Sequence, residues 1–307
     1  MKKYIILLLI QFIFLLNVAD AKSVFFNCDL SSVKNSFNLS DFKTKNEVRN
    51  FLHNLNKKAN EHDIEALKTM YDKEYKSMDG FGYEDFFKMI KETFESYPDI
   101  KYATNIKDIA VFDNKAIARL SDSAKANLKT DLLGEEFDNK GVLYSKSDYV
   151  VYLKKDFDNN WKVLYDFVEY EESSLRYGEA INLDAKFDAP LVVKPNKDYT
   201  LSLNITPPKD TFILSSLNNE EIIYPSVHAK ESFRKIINGI PLERIVRSNK
   251  KGHNEYAVAS IGLTRLSVNN DKVPTTISFG IKMSGMAFMM RRVNVLNQKE
   301  NVFEGTK

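Results

Sequence analysis

The chain has 307 residues, 43% of them apolar and 28% charged, with a formal charge of +2. Those proportions exclude a globally disordered chain, and the length admits two ordinary domains. The near-neutral balance excludes the concentrated basic face that nucleic acid requires; Lys250-Lys251 and Arg291-Arg292 are short, isolated pairs that read as solvated strand ends.

Lys2 and Lys3 precede an apolar run from Ile5 to Leu16 broken only by Gln11, and Ala19-Asp20-Ala21 follows as a small-x-small cleavage site. This pattern predicts a signal peptide over residues 1–21 and a mature chain beginning at Lys22. The run is shorter than the ~20 residues a membrane span needs, and no later segment is long and apolar enough to span. The expectation is an exported protein, periplasmic, at the cell surface or secreted. Cys28 is the single cysteine, so no disulfide can form within the chain. It follows Phe25-Phe26-Asn27, well past the cleavage site, and reads as a free thiol rather than a lipidated one.

Residues 22–43 lack a sustained period and read as a flexible leader. From Thr44, a candidate N-cap, Val48, Phe51, Leu52, Leu55 and Ala59 recur on one helical face. Asp63 can cap a second helix, Ile64 to Tyr71. After Gly80 and Gly82, Tyr83 to Tyr97 forms a third helix, which Pro98 ends. The period then falls to two. Ile100–Phe112 and Lys115–Leu128 predict a hairpin turning at Asp113-Asn114, and Val142–Phe157 with Trp161–Glu171 a second one turning at Asp158-Asn159-Asn160.

His62-Asp63-Ile64-Glu65-Ala66-Leu67 resembles the start of the second helix in nuclear transport factor 2-like and SnoaL-like domains. Asn160-Trp161-Lys162-Val163-Leu164-Tyr165-Asp166-Phe167 resembles their final strand, which often reads W-K-I-x-H-D-H. The resemblance covers residues 44–175. It implies a cone of three helices on a curved antiparallel sheet, in a family that holds isomerases, cyclases, dehydratases and binding modules, and that often forms homodimers.

Ser173–Asp188 is polar and reads as a bridge, with the linker proper at 176–188. Residues 189–300 then carry seven short alternating runs: Tyr199–Ile205, Thr211–Leu217, Glu221–Tyr224, Leu242–Ser248, Glu255–Leu266, Thr275–Met283 and Met286–Leu296. These predict an all-β sandwich of immunoglobulin-like type. A short helix is expected between Ser226 and Asn238, with Phe233, Ile236 and Ile237 buried. The fold class expected overall is α+β, a cone-shaped domain followed by that sandwich.

The chemistry in the sequence is sparse. At the two histidine positions of the family strand stand Tyr165 and Phe167, which removes the usual proton carrier. Asp166 keeps the acidic position on the opposite face, as the one weak catalytic candidate, and is read here as a surface carboxylate or ion-pair partner. Tyr71, Tyr75, Phe86, Phe94, Tyr149, Tyr152 and Tyr165 either line a pocket or simply fill the cone. Tyr75, Phe86, Tyr149 and Tyr165 are the candidate contacts for a small apolar or aromatic ligand. His53, His62, His228 and His253 form no metal-ligand pairing, and Met283, Met286, Met289 and Met290 read as core. No metal and no cofactor are expected. The preferred reading is a non-enzymatic protein binding a small ligand or an envelope protein partner. The alternative is an isomerase or dehydratase using Asp166 and a tyrosine.

Overall fold

The structure, a computed structural model, describes residues 39–133, 137–227, 230–269 and 278–296. Residues 1–21, read above as a signal peptide, and Cys28 and His228 lie outside the described residues. The described residues fall into two compact units: the first takes in those up to Ala126 together with Tyr144–Glu171, the second those from Asn127 to Leu143 and from Glu172 on.

The first unit opens with helix α1, Leu39–Asn60. It starts five residues before Thr44, because no Gly or Pro interrupts the chain there. Its apolar face buries Val48 and Leu52. Helix α2, Ile64–Met70, is capped by the Asp63 carboxylate, which accepts from the Ala66 amide. Strand β1, Tyr71–Lys76, leads to helix α3, Tyr83–Ser96, whose Phe86, Phe87, Ile90 and Phe94 are buried. Strands β2, Lys101–Phe112, β3, Lys115–Lys129, β4, Lys140–Lys155, and β5, Trp161–Gly178, follow, and within the unit they stand in that order. Strand β1 pairs with β5 in parallel. Asp113 and Asn159 take the left-handed conformation (φ 53° and 63°) that the two tight turns require.

The Asn60 side chain fastens α1 to β2. Its amide donates to the Tyr102 carbonyl at 2.9 Å, and its carbonyl oxygen accepts from the Tyr102 amide at 2.9 Å. His62 stacks on Phe94 with ring centroids 4.2 Å apart, which locks the α1–α2 turn against α3.

The second unit contains strands β6, Ala185–Asp188, β7, Val192–Val193, β8, Asp198–Ile205, β9, Thr211–Glu221, β10, Arg234–Lys235, β11, Leu242–Arg247, β12, Glu255–Asn269, and β13, Ser278–Val295. One sheet runs β5-β13-β12-β9-β10, and a three-stranded sheet runs β11-β8-β6. Alternate residues of both meet in one core: Leu201 and Leu203 of β8, Ile213 and Leu217 of β9, Ala259 and Ile261 of β12.

The expected fold class is overturned. Strands account for 55% of the described residues, against three α-helices among them, and most pairings are antiparallel. The arrangement is not a three-helix cone followed by an immunoglobulin-like sandwich. The reason lies in strand length. β3, β4 and β5 each run past the edge of the first unit, and Glu172–Gly178 of β5 pairs with Gly285–Arg291 of β13 inside the second unit. The residues read as a polar bridge are thus strand to Gly178, a 3₁₀ turn at Glu179–Asn182, then β6. Serine and charged residues misled there, because one face of that strand is half-exposed.

Two smaller corrections follow from the same physics. β13 does not stop at Gly285. Ser284 is an extra residue in its pairing with β12, where Leu263 faces Gly285 and Thr264 faces Met283, so the glycine marks a bulge within one strand. Among the described residues of 226–238 there is no helix; Arg234–Lys235 pairs with β9, Ile236 is buried, and Phe233 and Ile237 are exposed.

Candidate functional site

The inward residues of the first unit's sheet are set by strict alternation on β3, where Ala116, Ala118, Leu120, Asp122, Ala124 and Ala126 are all buried. A carboxyl therefore sits on an otherwise apolar face. Tyr149 on β4 and Tyr102 on β2 point to the same interior. Tyr149 Oη donates to Asp122 Oδ2 at 2.8 Å. Asp122 Oδ1 and the Tyr102 hydroxyl are buried and make no hydrogen bond within the protein.

These groups border a cavity of about 50 Å³. Leu67, Phe86, Ile90 and Phe94 from the helices and Leu120 and Val151 from the sheet form its buried apolar wall. Leu55, Asn56 and Ala59 of α1 and Thr104 of β2 are only half-buried and form its rim. The space holds roughly three waters, or a head group of a few heavy atoms, and is well below the ~150 Å³ that admits a benzene ring.

Burial pushes the Asp122 carboxyl up to about 6, against the opposing pull of the Tyr149 and Thr104 hydroxyls. Burial, and then the Asp122 charge, raises the Tyr102 and Tyr149 phenols. These tyrosines stay protonated at neutral pH and serve as hydroxyl donors or acceptors. Asp122 is the group with a titration near neutrality.

Asp166 lies beside this cavity rather than on it. It is fully buried, not a surface carboxylate, and accepts from Tyr75 Oη at 2.6 Å. Strict alternation slips on β5: Trp161 and Val163 are buried, then Asp166 and Val168, and the β1–β5 pairing is irregular over the same stretch. Tyr75 packs on Tyr71 and Phe86 with centroids 5.0 and 4.8 Å away.

Of the four residues expected to contact a ligand, Phe86 and Tyr149 line the cavity and Tyr75 stands behind it. Tyr165 is half-buried on the other face, and Tyr152 is exposed. Asp122, Tyr102 and Thr104 were not anticipated from motifs. The signal was there for Asp122: in Ala116–Ala126 it occupies an apolar-phase position. In the second unit, Met286 and Met290 are buried and Met283 is exposed. Among the described residues no three His, Cys, Asp or Glu side chains are grouped as metal ligands, and no helix is long and apolar enough to cross a membrane.

No family model and no curated protein sequence matches the chain. Among solved structures it is similar to Bdellovibrio bacteriovorus Bd1075 (17% identity over 41% of this chain and 40% of that one, TM-score 0.33). It is also similar to a conserved protein from Planctomyces limnophilus DSM 3776 (12% identity, 41% and 94%, TM-score 0.34). A third is the Kfla4162 protein from Kribbella flavida (11% identity, 42% and 91%, TM-score 0.34). The chain spans two fifths of the length of Bd1075. Likeness at this level settles neither fold nor function.

Proposed function

We propose that the chain is an exported binding protein whose first unit holds a small ligand in the cavity among α1, α2, α3 and β2–β4. One observation carries the reading: the apolar cavity ends at the Asp122 carboxyl and the Tyr102 hydroxyl, buried groups with hydrogen-bonding capacity that the protein leaves unused. Each such buried group costs roughly 1–3 kcal/mol, so a ligand that supplies its partner recovers that energy on binding. The resemblance of residues 62–67 and 160–167 to nuclear transport factor 2-like segments supports assigning the binding role to this unit. The signal-peptide pattern supports export.

Saturation-transfer NMR with a library of small polar fragments tests the reading. Binding is expected for the native chain and weaker by about tenfold for Tyr102→Phe, the loss of roughly one buried hydrogen bond. A native chain that takes up no fragment refutes it.

A second reading, proton transfer on a bound substrate, is favoured by the titration of Asp122 near 6, close to the range useful to a general acid or base. It moves the role from Asp166 to Asp122. Turnover of a bound fragment that is lost in Asp122→Asn, with Asp166→Asn still active, would establish it over simple binding.

A further inference from the structure

The sign of the buried charge narrows the ligand. The buried charged residues of the first unit are Asp79, Asp122, Asp166 and Glu171, all acidic; among the described residues of that unit no Lys, Arg or His is buried. Asp122 is the one that lines the cavity. Its neighbours are the Tyr149 and Thr104 hydroxyls, and no cation stands against it. Around it are the rings of Tyr71, Phe86, Phe94, Tyr102 and Tyr149.

We propose that the cavity receives a small alkylammonium group, with Asp122 as its counter-ion and the aromatic rings as its cage. This rests on the ligand-binding reading above and adds the charge of the occupant. An anion would meet Asp122 in a medium of low dielectric and be repelled. A neutral alcohol would supply a hydrogen bond but leave the carboxylate without a compensating charge. An ammonium does both. Its N–H groups donate to Asp122 Oδ1 and to the Tyr102 hydroxyl, the two buried atoms that make no hydrogen bond within the protein. Its positive charge also lies over ring faces, whose quadrupoles attract cations. The Tyr102 side chain is 7% exposed, so its hydroxyl is oriented inside the fold and not by solvent. The volume of about 50 Å³ sets the size: a head group of a few heavy atoms, with any longer chain leaving past Leu55 and Ala59 at the rim. The raised titration of Asp122 agrees, since it reports a carboxylate whose burial is not offset by a partner charge.

Isothermal titration of the whole chain at pH 7.5 with n-butylammonium, n-butanol and butyrate tests this. Butylammonium is expected to bind at least tenfold more tightly than butanol, with butyrate not binding. Asp122→Asn, of nearly the same shape, is expected to erase the ammonium preference while leaving butanol within about threefold. Tyr102→Phe is expected to weaken butylammonium severalfold, a readout independent of whether the Asn variant folds. Butanol binding as tightly as butylammonium to the native chain overturns the charge assignment and leaves the ligand-binding reading standing. A preference that survives Asp122→Asn overturns the role of Asp122. Absence of binding by all three probes removes both.

Discussion

Asp122 gives the residue scale its most direct test, because the sign of its contribution to stability is fixed. Its folded titration point, about 6, lies above the ordinary value of 3.8, so between those pH values the native chain binds more protons than the unfolded one. Stability from this group is present in acid and is lost as the pH rises through about 4 to 6. The shift corresponds to about 3 kcal/mol. Chemical denaturation of native protein and Asp122→Asn at pH 4 and pH 7 should therefore show the native chain losing up to about that much relative to the variant. Depressed carboxyls such as Asp63 and Asp156 work in the opposite direction at lower pH, and they cancel in the comparison. An unchanged difference between the two proteins across that interval would mean that Asp122 is solvated. The position of this residue was legible in the sequence: alternation from Ala116 to Ala126 puts it on the apolar face. Asp166 was not, since the alternation of β5 slips between Val163 and Asp166 and no local sequence pattern announces that slip.

At the scale of elements, the helix and hairpin punctuation of the first unit was readable because each signal is local. Asp63 caps α2 as its side-chain chemistry predicts, and Asp63→Ala should cost about 1 kcal/mol in a thermal or urea melt. Asn60 had no such signal: besides the Asn56 carbonyl one turn earlier, its side chain pairs with both backbone groups of Tyr102, 42 residues away. Asn60→Ala should cost roughly 2 kcal/mol, two backbone groups losing their partner, and should also weaken fragment binding by freeing Tyr102. A loss of stability with fragment affinity intact would separate the clamp from the cavity. Gly285 was misread as a break for an instructive reason. Glycine marks both turns and close backbone approaches; here a Cβ would lie 2.6 Å from the Ala180 amide nitrogen and 3.0 Å from the Tyr177 carbonyl. Backbone cannot swing aside as a side chain can, so Gly285→Ala should destabilise by roughly 2–3 kcal/mol.

For the whole molecule, the boundary between units is what the sequence conveyed least. Polar composition over 173–188 resembled a linker, yet Glu172–Gly178 is held in a ladder with β13 and Phe187 is buried. Limited proteolysis should leave Ser173–Gly178 uncut, because a protease must strip a strand from its sheet before it can bind it. Early cleavage there, releasing two stable fragments, would contradict the observed pairing. Strand continuation across a boundary depends on partners more than a hundred residues away, and composition carries no trace of them.

The path of the chain through the second unit has a consequence for how the protein is made. Residues 127–143 and 172–178 belong to that unit, but β13, which pairs with the end of β5, with β12 and with β7, comes more than a hundred residues later. A ribosome releases the chain from its N-terminus at about 5–20 residues per second. For several seconds after β5 emerges, the strand edge that β13 will cover has no mate. Such an unpaired edge is where chains associate wrongly, so a holding chaperone would matter most during that interval. A stop codon just before Ser278 would make the interval permanent, and that truncated product should accumulate as aggregate even though every residue of the cavity has already been synthesised.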